Sequence, residues 1–158
     1  MFGARLDHPA AMIMNGFDTI NAGDRFTGTP FAVTRDTIRE FAEGSLDFNP
    51  LHLDDSYMEG QFGKTRFKGV IMHGMSNFGL LSRMMTDWLG PRGGEQRRME
   101  TRWLAPVYPG DTLTPGGRVK QKNVTGKSRW MLFEVEMRNQ KSELIATGDA
   151  MAEFRTAA

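Results

Sequence analysis

The stretch HGMSNFGLLSRMMTDWLG, residues 73–90, decides the fold. Phe78, Leu81, Met85 and Trp88 recur at steps of three and four, and Met75, Leu80, Met84 and Leu89 widen the stripe. That spacing is helical, and apolar residues take up so much of the circumference that the helix should be largely buried. Gly90-Pro91 stops it, since glycine suits the left-handed turn that ends a helix and proline cannot continue one.

Beyond this helix the period changes to two. Over residues 128–138, Met131, Phe133, Val135 and Met137 point one way, and Glu134, Glu136 and Arg138 the other. Strands are also expected over 99–104, 112–122 and 144–154, with a turn at Pro109-Gly110-Asp111 and a hairpin around 123–127. The last strand sets Ala146, Gly148, Ala150 and Ala152 on one face, which implies close packing by another element. One buried helix followed by antiparallel strands makes an α+β domain with the helix against one sheet face. No second long helix is available for the other face, so self-association is the simplest expectation.

Upstream, residues 25–33 read as a first strand, entered through Ala22-Gly23-Asp24. Thr34 can cap a short helix with Asp36 in its first turn and Ile38, Phe41 and Ala42 on one face, ending near Gly44. Pro50 disfavours helical geometry at Asn49, so residues 45–50 form a turn. A long loop follows over 52–72, with a turn of helix at 54–58. Residues 1–15 show no sustained period and are expected to be a loosely held extension to a single domain, residues 16–158.

Composition narrows the function. A chain of 158 residues can bury a sizeable core without a staple, and the absence of cysteine removes disulfides, thiolate metal sites and a cysteine nucleophile. Twenty Lys and Arg against 19 Asp and Glu give no broad positive field for a nucleic-acid backbone. The apolar run at residues 10–14 is too short for a signal peptide or membrane span. A soluble, cytoplasmic protein is expected. Twelve methionines suit either flexible apolar ligands or ordinary core filling.

Asp47, Asn49 and His52 gather within six residues on a proline-containing turn. A carboxylate beside an imidazole can hold a water and take its proton. Equally, Asp47 can cap a turn, Asn49 pair with backbone and His52 be a satisfied histidine. His73 is the nearest competitor to His52 and reads as a structural residue at the helix start. Three scattered histidines give no metal-binding spacing, so no metal is expected.

The order of these residues resembles a known family. DFNPLHLD, residues 47–54, is similar to the signature of MaoC-like dehydratases and (R)-specific enoyl-CoA hydratases. TRFKGVIMHGM (65–75), INAGDRF (20–26) and LAPVYPGDTL (104–113) match further landmarks in the family's order, though they are shared more widely. The resemblance implies a hotdog fold, an antiparallel sheet wrapped around one long central helix and paired in a homodimer or higher oligomer. It implies that Asp47 and His52 activate a water that adds to a trans-2-enoyl-CoA, and that the Gly74 backbone N–H binds the thioester oxygen. Asn49 and His73 support them. Coenzyme A is then part of the substrate, and no separate cofactor is implied. A helix N-terminus suits that oxygen, because its free amides and positive dipole end meet developing negative charge.

Rival readings stay within the fold. A hotdog thioesterase or acyl-carrier-protein dehydratase commonly has a working carboxylate on the central helix, where this chain has only Asp87 near the far end. A non-catalytic acyl-CoA-binding module would not need Asp47, His52 and Gly74 together. Arg92, Arg97 and Arg98, or Lys120, Lys122, Lys127 and Arg129, either grip coenzyme A phosphates or form solvated faces. Trp88, Trp103 and Trp130 read as core or interface anchors. The connection between His52 and His73 is roughly four residues longer than is usual in similar hydratases, a cheap insertion. Phe62 at its tip, with Lys64 and Arg66 after it, is expected to face substrate and narrow the acyl pocket.

Overall fold

A computed structural model describes residues 16–60, 67–126 and 128–155. The expectations for residues 1–15 and for Phe62, Lys64 and Arg66 lie outside the described residues. A short helix α1 (Gly16–Thr19) precedes strands β1 (Arg25–Thr27) and β2 (Phe31–Ala32), then helices α2 (Arg35–Ser45), α3 (Pro50–Leu53) and α4 (Asp55–Glu59). The long helix α5 (Gly74–Leu89) and a short 3-10 turn lead into β3 (Gly94–Trp103), β4 (Thr112–Thr125), β5 (Ser128–Arg138) and β6 (Leu144–Phe154). The antiparallel sheet runs β1-β4-β5-β6-β3, with β2 also on β4.

The expected first strand is in fact two. Both pieces pair with β4, and the chain breaks between them at Gly28-Thr29-Pro30. Pro30 has no amide to give a ladder. Gly28 donates to the Pro115 carbonyl at 2.9 Å, and a Cβ there would press on Pro115 and Met84. Thr34 caps α2 as expected: its hydroxyl accepts from the Thr37 amide at 3.1 Å while the Thr37 hydroxyl accepts from the Thr34 amide at 2.9 Å.

Helix α5 lies on the sheet through Leu81, Met84, Met85 and Leu89, which meet Val119, Met131, Phe133 and Met137 in one core. Each such side chain contributes about 1.5–3 kcal/mol on full burial. The stripe is not quite the one the period suggests. Met75 is exposed, Phe78 is half-buried, and Asn77 is buried instead. Trp88 stacks on Phe26 with centroids 4.3 Å apart and meets Phe133 edge-on, an anchor of the core.

The sheet leaves no bare apolar face for a second copy to cover, contrary to the expectation from sequence. Ala146, Ala150 and Ala152 are buried within this one chain, in the core beneath α5. The opposite face is charged: Arg118 pairs with Glu134 at 2.6 Å and Lys120 with Asp149 at 3.3 Å. Such a face is at home in water and asks for no apolar cover. β1 and the longer β3, among the described residues, each pair on one side only, as the two ends of the sheet order. Among the described residues, no helix is long and apolar enough to cross a membrane.

Candidate active site

Helix α2 ends at Leu46, whose φ of 59° and ψ of 23° are left-handed. A leucine there is unusual and carries local strain of order 1 kcal/mol. It reverses the chain, so that Asp47 starts a new turn. The Asp47 Oδ1 accepts the Asn49 amide at 3.2 Å, and the Asn49 Oδ1 accepts the Leu51 amide at 3.2 Å. Asn49 is thereby the N-cap of α3, and Pro50 fills the first helical position, where no amide is needed. The sequence places His52 at the start of a loop; the structure places it on this short helix.

Two backbone ties hold α3 to the segment entering α5. Ile71 donates its amide to the Leu51 carbonyl at 3.2 Å, and the His52 Nδ1 lies 2.7 Å from the Ile71 carbonyl oxygen. A carbonyl can only accept, so Nδ1 carries the proton and neutral His52 presents a lone pair at Nε2. His52 is 8% exposed. Burial, and to a lesser degree the neighbouring His73, lowers its pKa below the ordinary 6.5, against the opposing pull of the Ile71 carbonyl and Asp47. Near neutrality the ring is therefore an uncharged base.

His73 precedes α5 as its N-cap without making a side-chain cap bond. Its Nε2–H donates instead to the Asp47 backbone carbonyl at 3.0 Å. The His52 and His73 rings stack, with centroids 3.7 Å apart and planes 25° from parallel, and Phe41 packs 4.9 Å from His73 on its centroid. Asp47, His52 and His73 thus bring one polar atom each within 4.8 Å of the others. The histidines expected to be scattered are paired after all. Such a group could hold a metal ion as well as move a proton.

At the head of α5, Ser76 donates back to the His73 carbonyl at 3.0 Å, while the Gly74 amide has no acceptor among the described residues. A Cβ on Gly74 would stand 3.0 Å from the Trp103 indole, which is half exposed and flanks this helix end. Trp103 therefore belongs beside the site and not in the core. Ile71, Phe41 and Trp103 were missed from sequence. Their roles depend on carbonyl direction and ring packing, for which no local residue pattern exists.

The basic clusters are engaged elsewhere. Arg92 sits over the Trp88 ring at 4.6 Å, Arg97 pairs with Glu95 and Glu153, and Arg98 with Glu100. Lys122 donates to the Ile20 carbonyl and Arg129 pairs with Asp18. Lys127 lies outside the described residues. A cavity of about 680 Å³ opens on the charged sheet face among Arg25, Arg102, Arg118 and Glu136, and neither His52 nor His73 lines it.

Known proteins share this arrangement of elements. A family profile described as MaoC like domain matches residues 20–141. An (R)-specific enoyl-CoA hydratase of Rhodospirillum rubrum is 30% identical over 103 residues, covering 65% of this chain and 68% of the relative. Among solved structures, a monoamine oxidase regulatory protein from Archaeoglobus superposes with a TM-score of 0.77 at 26% identity, covering 90% of this chain and 95% of the other. An R-hydratase from Pseudomonas aeruginosa gives 0.75 at 25% identity, covering 89% and 86%. With its central helix and antiparallel sheet in the hotdog arrangement and the profile spanning most of its length, the chain belongs to the MaoC-like domain family.

Proposed function

We propose that the protein is a hydratase that adds water across the double bond of a trans-2-enoyl-CoA, or removes it in reverse. Two observations support this best: a ring nitrogen of His52 lies within 4.8 Å of the Asp47 carboxylate, and the Nδ1–H bond to Ile71 leaves the His52 lone pair on Nε2. Both groups accept a hydrogen bond from one water. Transfer of its proton to the pair lets the oxygen attack the β-carbon while the π electrons move onto the thioester oxygen. The Gly74 amide, backed by the positive end of α5, stabilises that oxygen, and the proton is then returned to the α-carbon on the same side. The steps use acid–base groups and an amide donor alone.

The relatives named as enoyl-CoA hydratases favour this chemistry over ester cleavage. Helix α5 supports the preference, since its one acid, Asp87, is exposed near the far end and pairs with Arg83 at 3.6 Å. Phe62, Lys64 and Arg66 are assigned to the substrate side and narrow the pocket toward short, branched or acidic acyl groups. The open edge of β3 is assigned to a second copy of the chain, making a homodimer.

Purified protein incubated with crotonyl, octenoyl, methyl-branched and dicarboxylic enoyl-CoAs should bleach the conjugated thioester absorbance without releasing free coenzyme A. Release of free coenzyme A without hydration would instead make it a thioesterase. Octenoyl-CoA as the best substrate would reject the narrowed pocket.

A further inference from the structure

Glycine at the head of α5 leaves a place that another side chain fills. A Cβ built on Gly74 would stand 3.0 Å from Trp103 Cε2, 3.2 Å from Cδ2 and 3.3 Å from Cζ2. Cε2 is a fused-ring carbon bonded to the other two, and a point nearest to it meets the flat of the indole. An edge-on approach would meet rim atoms first. One face of the ring thus rests against Gly74, where any larger residue would press on it. Even so, Trp103 is 53% exposed, which leaves much of the indole free. Met75 and Leu104, the chain neighbours of Gly74 and Trp103, are each 54% exposed. Large apolar side chains gathered open to water at one helix end mark a surface that something apolar covers.

The Gly74 amide, with no acceptor among the described residues, opens at the same helix end. Gly74 follows His73 in the chain, and His73 stacks on His52 at 3.7 Å. Indole, open amide and acid–base pair are therefore neighbours. A thioester whose oxygen accepts from that amide lies beside an aromatic wall, and the face of an indole holds a flat conjugated group well. We propose that Trp103 is a substrate-binding residue, its indole packing on the acyl thioester whose oxygen the Gly74 amide takes. The identity of that ligand rests on the hydratase reading. The rival occupant is a second copy of the chain, because Trp103 ends the edge strand β3.

Protein labelled with 5-fluorotryptophan carries a ¹⁹F signal on each of Trp88, Trp103 and Trp130, and the one missing from Trp103→Phe belongs to Trp103. Butyryl-CoA, a saturated thioester that cannot be hydrated, is the probe, with free coenzyme A as control and calorimetry to follow binding. The Trp103 signal should move with butyryl-CoA and hardly with free coenzyme A. Bound butyryl-CoA with an unmoved Trp103 signal overturns the proposal. So does an equal shift from free coenzyme A, which sets the ring against another part of the ligand. A signal that moves with protein concentration and not with ligand gives the ring to a second copy and overturns it too. In turnover, Trp103→Ala should raise KM for crotonyl-CoA roughly ten-fold with kcat changed by less than about three-fold, and Trp103→Phe, which keeps a flat ring, should recover most of the loss. An unchanged KM in folded Trp103→Ala contradicts the contact. A Trp103 signal that answers to butyryl-CoA in a protein that hydrates no enoyl-CoA leaves the contact standing and sinks the hydratase reading. If butyryl-CoA does not bind at all, both fall.

Discussion

Asp47→Asn separates chemistry from structure at this site. The carboxylate is exposed, and its one structural task is to accept the Asn49 amide at 3.2 Å. Asparagine keeps a carbonyl oxygen in the same place, so the turn before α3 keeps its bond. The contact with His73 uses the Asp47 backbone carbonyl and is untouched by the change. Stability should therefore move by no more than about 0.5 kcal/mol, or about 1–2 °C in Tm for a chain of this size. Activity should fall by about 10²–10⁴-fold, the usual scale for a lost acid–base group, equal to about 2.7–5.4 kcal/mol of barrier. Initial rates of enoyl-CoA bleaching, with thermal melting on the same samples, measure both. Asp47→Ala is the control, because it removes the acceptor as well and should also loosen the turn. Near-normal kcat/KM in Asp47→Asn would refute the role. Activity lost only together with a Tm drop of several degrees would make Asp47 structural.

Other consequences are as direct. Since burial holds the His52 pKa below 6.5, kcat/KM should lose its base only as pH falls below that value; an acid limb above 6.5 contradicts the assignment. The sign for stability is the same: below 6.5 the unfolded chain binds the proton more readily, so this contribution is complete above 6.5 and is lost as pH falls through the lower folded value, measurable by denaturant titration at several pH values. The double variant Asp47→Asn/His52→Gln should be hardly slower than either single one, because both groups serve one water; additive losses would separate their roles. Gly148→Ala would press a Cβ into the Glu100 carbonyl oxygen, forcing β3 and β6 apart, and should lower the free energy of unfolding by about 1–3 kcal/mol, read from denaturant titration.

The helix–sheet plan was legible because it rests on periodicity. The steps from Phe78 to Trp88 and the alternation from Met131 to Met137 are local patterns, and α5 and β5 lie where those patterns fall. Boundaries decided by single contacts were not legible. The break at Gly28-Thr29-Pro30 depends on Pro115 across the sheet, and the burial of Asn77 in place of Met75 has no signal in the helical period. The charged outer face shows in Glu134 and Glu136, while the small residues of β6 join the core on the other face. A row of small residues records close packing; it does not say whether the neighbour belongs to the same chain.

For the site, spacing brings Asp47, Asn49 and His52 onto one turn, but the division of work between the two histidines is tertiary. Each ring spends its single proton on a backbone carbonyl, His52 through Nδ1 on Ile71 and His73 through Nε2 on Asp47. The choice of nitrogen decides the chemistry left over. His52 keeps Nε2, the atom farther from its own backbone, for an outside partner beside the exposed carboxylate. His73 keeps only Nδ1, turned inward at 1% exposure, and so has no lone pair to offer a substrate water. The stacked His73 ring, 3.7 Å away, is one of the causes that hold the His52 pKa down. One neutral base with a fixed lone pair is the state that water activation needs near neutrality. The fold secures it with two carbonyls whose directions are set by the turn after α2 and by the extended segment entering α5.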